Sequence, residues 1–200
     1  MRYKNLILTV FFSLLITSFA FGADKYQFDM AHTSIGFSIR HMLLSNVKGS
    51  FKEFTGTILF DEKDITKSSV NITIKTASLD TDNQERDGHL KSAEFFDVEE
   101  HPEITFKSRR IEKNDDGYVL VGELTIKGVT KEVSFPFSLV GPVKDPWGND
   151  RFGAEANLKI NRQDFGVSWS KVMDNGGLVV GNDVKIELNV EAVKAKEGTN

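Results

Sequence analysis

From about residue 34 onward, apolar and polar residues alternate with a period of two along much of the chain. Ile35, Phe37 and Ile39 alternate with Ser34, Gly36, Ser38 and Arg40. Val70, Ile72 and Ile74 alternate with Asn71, Thr73 and Lys75, and Val133, Phe135, Phe137 and Leu139 with Ser134, Pro136 and Ser138. Phe152, Ala154, Ala156, Leu158 and Ile160 alternate with Gly153, Glu155, Asn157 and Lys159. Val184, Ile186, Leu188 and Val190 alternate with Lys185, Glu187, Asn189 and Glu191. A strand points successive side chains to opposite faces, so each run predicts a half-buried antiparallel strand. Turn-forming segments lie between them. Asn114-Asp115-Asp116-Gly117 predicts a hairpin between strands at about 104–111 and 118–126, and Lys127-Gly128 predicts the next turn. Gly141-Pro142 through Asn149 and Asp174 through Gly177 predict two longer loops.

Three local departures refine the pattern. Phe51 and Phe54 are three apart, so a bulge at Lys52-Glu53 is needed to keep both on the face that continues at Ile58 and Phe60. Pro136 inside a strand implies an edge or a bulge. Thr81-Asp82-Asn83-Gln84 fits a capping box with Thr81 as N-cap, and predicts a short helix over 82–93. About eight antiparallel strands with one helix suit either a sandwich or a closed up-and-down barrel. Residues 118–121 are apolar on both faces, which predicts cover on the outer side too, by the helix.

Residues 1–22 follow a different logic. Arg2 and Lys4 precede an apolar run over 6–19, followed by Ala20-Phe21-Gly22. That order is the one found in a secretory signal peptide, with cleavage expected after Gly22 or, as second choice, Ala20. The remaining 23–200 then form a single exported domain, placed in the periplasm. Losing Arg2 and Lys4 from 25 basic residues leaves 23 against 29 acidic ones, a net charge of −6. An acidic chain gains no overall Coulomb attraction to nucleic acid or to an anionic membrane surface. The chain has no Cys, which removes disulfides, thiolate metal sites and cysteine nucleophiles. Its four His residues, at 32, 41, 89 and 101, show no metal-ligand spacing, and neither a metal nor a cofactor is expected. The alternate strand face carries Glu155, Lys159, Lys185 and Glu187, which argues against an outer-membrane barrel.

A series of short motifs resembles the YceI-like family of periplasmic, polyisoprenoid-binding, lipocalin-like proteins. They are Asp29-Met-Ala-His32-Thr-Ser-Ile-Gly-Phe37 with His41, Val47-Lys-Gly-Ser-Phe51 and Phe54-Thr-Gly56. Arg86-Asp87-Gly-His89-Leu90, Phe95-Phe96-Asp97 and Pro102 through Ser108 follow. Gly122 through Thr130 and Asn161-Arg162-Gln-Asp164-Phe-Gly166-Val complete the set in order. The resemblance implies an extended eight-stranded antiparallel barrel. Its apolar interior would hold a long-chain amphipathic lipid, such as a polyisoprenoid or a fatty-acid derivative, by binding rather than catalysis.

A barrel of about eight strands either fills itself with side chains or holds one ligand. Ala154, Ala156, Gly49, Gly56 and Gly122 are small inward residues that leave room, unless neighbouring Phe rings take it up. Sequence parity leaves both outcomes open; the resemblance favours a tunnel. The apolar wall expected from parity is Ile35, Phe37, Ile39, Phe51, Phe54, Ile74, Phe106, Leu124, Phe135, Phe137, Phe152, Ala154, Ala156 and Leu158. A polar mouth is expected from His41, at the inward end of its strand, with Arg86, Asp87 and His89 on the helix; Arg86 and Asp87 equally suit tying the helix down. Trp147 and Trp169 suit capping an opening or anchoring a loop. Two other readings remain: a hydrolase or isomerase of lipid-like substrates using Asp87 with His89 or His41, and a filled-core stress-response module without ligand. Monomer and homodimer are both open.

Overall fold

A computed structural model describes residues 22–174 and 176–196. The proposed leader lies outside the described residues except for Gly22. The strands are β1 (Asp24–Phe28), β2 (Ser34–His41), β3 (Ser45–Phe51), β4 (Phe54–Phe60), β5 (Ser69–Lys75) and β6 (Leu79–Asp80). They continue as β7 (Glu103–Asn114), β8 (Gly117–Ile126), β9 (Val129–Lys144), β10 (Asp150–Asn161) and β11 (Val180–Lys194). One helix, α1 (Gln84–Lys91), sits between β6 and β7.

These strands make eight staves of a closed antiparallel barrel. β1 and β2 are two parts of the first stave, β3 and β4 of the second, β5 and β6 of the third. β11 closes the ring by pairing with β2 through Asn189 and Val180 and with β1 through Ala192 and Lys194. Closure leaves no long edge exposed to water or to another chain. The bend between β1 and β2 is pinned at Glu191, whose carbonyl accepts from the Asp29 N–H (2.8 Å) and the Thr33 hydroxyl (3.0 Å).

The local exceptions have physical causes. The chain breaks at Lys52-Glu53, and Phe51 and Phe54 both stay buried, as the three-residue spacing requires. Pro136 pairs with Val119 of β8, while the β9–β10 ladder ends one residue later at Phe137, so the missing N–H faces a place without a partner. The loop expected from Gly141 onward starts later: β9 runs to Lys144 across a register shift opposite Arg151 and Gly153, leaving a turn at 145–149.

The helix is shorter than the expected 82–93, and Thr81 is not its cap. Asn83 caps it, its Oδ1 accepting from the Arg86 N–H at 2.9 Å. Thr81 instead donates its hydroxyl to Asp87 (2.5 Å) and accepts from Arg86 Nε (2.8 Å). The Arg86 guanidinium also reaches the Thr81 carbonyl at 2.6 Å. α1 has no buried residue and no apolar stripe, so this polar clamp to the end of β6 holds it in place. It therefore lies across one end of the barrel. It packs on β6 rather than covering residues 118–121, and Val121, on the outward register opposite Arg110 and Ser134, is 2% exposed without it.

An apolar bore with a basic end

The inward faces of the staves enclose a cavity of about 460 Å³. β10 has 12 residues, about 40 Å of strand at ~3.4 Å per residue, and the tilt of barrel strands leaves roughly 30 Å along the axis. The lining runs from Phe60, Ile65 and Phe152 at one end to His89, Phe165 and Trp169 at the other. That volume over that length is a narrow bore, not a round chamber. Its size falls within the roughly 300–1,000 Å³ of small-molecule pockets.

One end is sealed. Tyr26, Phe60 and Phe152 meet there with ring centroids 4.8 to 5.6 Å apart, and Ile65 packs against them. All three rings are buried. At the opposite end α1 and the segment after it supply Arg86, His89, Leu90, Phe95 and Phe96 to the lining. Trp169 lies against Phe95 (5.2 Å) and edge-on to His89 (5.4 Å), so it joins the wall of this end; Trp147, 80% exposed, is in the turn at the far end and caps nothing.

The expected wall residues occupy this surface with one exception. Phe54 is buried, but its ring packs edge-on to Phe28 at 6.0 Å and does not reach the bore. The inward glycines do not widen the bore as expected. The Phe37 ring lies where a Gly49 Cβ would stand, 2.5 Å from its Cζ; Phe28 covers Gly56 and Phe106 covers Gly122 in the same way. Each glycine is a seat for a cross-strand ring, whereas Ala154 and Ala156 line the bore directly.

Of the expected polar mouth, His41, Arg86 and His89 line the bore, and Asp87 does not. Both Asp87 contacts, to the Thr81 N–H and hydroxyl, come from one Oδ1 and tie the helix down. His89 Nε2 is 2.5 Å from Glu94 Oε2. Sequence reasoning overlooked Arg162, which is 5% exposed and lines the same end. It sits in a 3-10 turn, Arg162–Phe165, directly after β10. Its guanidinium donates to the carbonyls of Gly181 (2.8 Å) and Val167 (2.6 Å) and to Asn182 Oδ1 (3.3 Å), and has no carboxylate partner among the described residues. Burial pulls its pKa down, yet an arginine remains charged in proteins. The parity of Leu158 and Ile160, carried one step beyond the strand, would have found it. The same step pointed to His41.

With the bore described, comparisons place the chain. A family model described as the YceI-like domain matches residues 26–192. The chain belongs to the YceI-like family. A UPF0312 protein of Serratia proteamaculans is 45% identical over 185 residues, covering 92% of this chain and 93% of the relative. The crystal structure of a Campylobacter jejuni YceI protein has a TM-score of 0.69 at 36% identity, covering 84% of this chain and 96% of that one. A domain from Saccharophagus degradans, described as polyisoprenoid binding and implicated in plant cell wall breakdown, shares the fold at 12% identity. Its TM-score is 0.63, over 85% of this chain and 98% of that domain.

Outside the bore, Arg151 on β10 joins the β1–β2 bend, β11 and the 145–149 turn. It donates to Asp29 Oδ2 (2.6 Å), Glu191 Oε1 (2.6 Å) and Asp145 Oδ2 (2.8 Å). Asp29, His32 and Glu191 are grouped closely enough to hold a metal, but this guanidinium already supplies the positive charge there. Hydrogen bonds from Arg151 and then His32 hold the Asp29 pKa at about 2, below its ordinary 3.8, and Asp145 is lowered too, first by Asn149. A depressed carboxyl pKa contributes stability that is present above the unfolded-state value and disappears as pH falls through the folded one. Stability should therefore drop between about pH 4 and 2. Asp29→Asn should make that acid limb shallower in pH-dependent urea melts; a limb of unchanged slope would show that this hub does not drive it.

Proposed function

We propose that this is an exported periplasmic protein that binds one long-chain amphipathic lipid, a polyisoprenoid or fatty-acid-like molecule, for transport, storage or sequestration, and that it is not an enzyme. The observation that carries this is the continuous apolar bore. Burying roughly 400 Å² of hydrocarbon at about 25 cal/mol per Å² gains on the order of 10 kcal/mol gross, and ordering costs remove several of these. Tight binding then needs neither metal nor cofactor.

The tail lies toward the Tyr26–Phe60–Phe152 seal, and the polar head toward the α1 end. There Arg162, Arg86, His41 and His89 offer N–H donors, so a head rich in acceptor oxygens suits it. The polyisoprenoid-binding description of the S. degradans domain fits this reading through the shared fold.

Native mass spectrometry and lipid extraction of protein purified from its own periplasm test it. A single bound amphiphile per chain is expected. Protein that leaves the cell empty and takes up no long-chain lipid would contradict the reading.

A further inference from the structure

The β2–β3 turn is built against local preference. Met42 and Leu43 have φ of 50° and 63°, and the Leu44 N–H closes the turn on the His41 carbonyl at 2.9 Å. Two successive left-handed residues in a tight hairpin favour Asn-Gly, and bulky side chains there are rare. The turn keeps Met42, Leu43 and Leu44 nevertheless, and they are 38%, 65% and 83% exposed. Val172, 64% exposed, lies in the neighbouring 171–179 segment, which is bonded to the turn through Met42 N–H to the Val179 carbonyl at 2.8 Å. Directly behind this apolar tip, His41, Val47, Val179 and Val180 line the bore.

Three cations flank the tip. Arg40 and Lys48 stand on the outward register of β2 and β3, and Lys171 stands at the start of the adjoining segment. All three are exposed and have no carboxylate partner among the described residues. Of the acids at this end, Asp183 is held by Lys159 at 3.0 Å and Glu94 lies against His89, while Asp174 and, on the α1 side, Asp82, Glu85, Glu99 and Glu100 are exposed, so the positive charge is confined to the flanks of the tip. The opposite end exposes Trp147, but its acids Asp145 and Asp150 are held by Arg151 and Lys144, no cation beside the tryptophan's turn is left without a carboxylate among the described residues, and the bore behind it is sealed.

We propose that the Met42-Leu43-Leu44 tip inserts into the surface of an anionic phospholipid bilayer and sets the α1 end of the bore against the membrane. A short apolar wedge backed by cations gains both tail burial and attraction to anionic head groups. Strain retained at a position that needs none is a mark of function rather than of folding. The purpose of such docking, lipid exchange, rests on the lipid-binding reading; the docking itself does not.

Co-sedimentation of the purified protein with phosphatidylethanolamine–phosphatidylglycerol vesicles tests this, with phosphatidylcholine vesicles alongside. Wild type should pellet with the anionic vesicles and be released by added salt. Leu44→Asn, which leaves the left-handed positions untouched, should weaken partitioning about tenfold. Met42→Asn with Leu43→Gly should weaken it at least as much, with a melting temperature equal to or above wild type, because the turn is relieved. Trp147→Ala should partition like wild type. Wild type that stays in the supernatant with anionic vesicles at low salt would overturn the proposal. So would undiminished binding by Leu44→Asn, or a loss seen with Trp147→Ala instead. A dimer that dissociates on Leu44→Asn, without vesicle binding, would assign the tip to a second copy of the chain and equally defeat it. Vesicle binding by a protein that takes up no lipid would uphold docking while refuting the lipid-binding reading.

Discussion

Ala156→Phe should empty the bore of its long tail without unfolding the barrel. Ala156 lies on β10 opposite Phe137 and Leu188 and lines the bore between its two ends. A phenyl ring there occupies the path that a chain must follow between the α1 end and the sealed end. If roughly half of the ~400 Å² of tail burial is lost, about 5 kcal/mol goes with it, which is on the order of a thousandfold in affinity. Because the ring enters vacant space, the fold should lose little, within about 1–3 kcal/mol even if neighbours must shift. Ala156→Leu should fall between the two and favour shorter tails. The measurement is a titration with a homologous series of fatty acids or polyprenols, read by native mass spectrometry. Retention of the same long lipid at full occupancy by Ala156→Phe would mean that the tail lies elsewhere.

Arg162→Leu should be the most damaging single change at the basic end. It removes the donors that satisfy the carbonyls of Val167 and Gly181, and leaves both with no replacement in a site that is 5% exposed. Unsatisfied buried acceptors cost about 1–3 kcal/mol each, so a loss of about 2–5 kcal/mol is expected in urea denaturation. Arg162→Lys keeps the charge but not the planar fork, and should recover only part of this. Head-group selectivity separates the ligand role from the structural one. Wild type should prefer a carboxylate or phosphate head over the alcohol of the same tail, and Arg162→Lys should narrow that preference. An unchanged urea midpoint in Arg162→Leu would show that the hydrogen bonds contribute nothing to the fold. Equal wild-type affinity for acid and alcohol would remove the head-group role and leave tail binding intact.

Much of this architecture was legible in the order of residues. Ile35, Phe37 and Ile39, and likewise Ala154, Ala156 and Leu158, face the lumen because period-two alternation lets a strand bury one side only. Strand breaks and turns were also local matters: the Phe51–Phe54 spacing, Pro136 beside the end of a ladder and Asn114 through Gly117 at a hairpin. The errors came where a partner lay outside the short pattern being read. Thr81 looked like a helix cap because a capping box is a four-residue pattern, but its hydroxyl was claimed by Asp87 and Arg86. Phe54 had the right parity and was still turned onto Phe28.

By itself, then, the sequence determined that the chain makes antiparallel staves with an apolar inner face, and which residues that face holds. Tertiary structure alone decided whether the inner faces meet. Parity states a direction, not a distance across the barrel, so only the closed ring shows Phe rings seated over Gly49, Gly56 and Gly122 while a bore lined in part by Ala154 and Ala156 persists between the staves. It alone also gathered Arg162, Arg86, His41 and His89 at one end, since these residues come from three separate segments whose proximity depends on how β11 closes on β2.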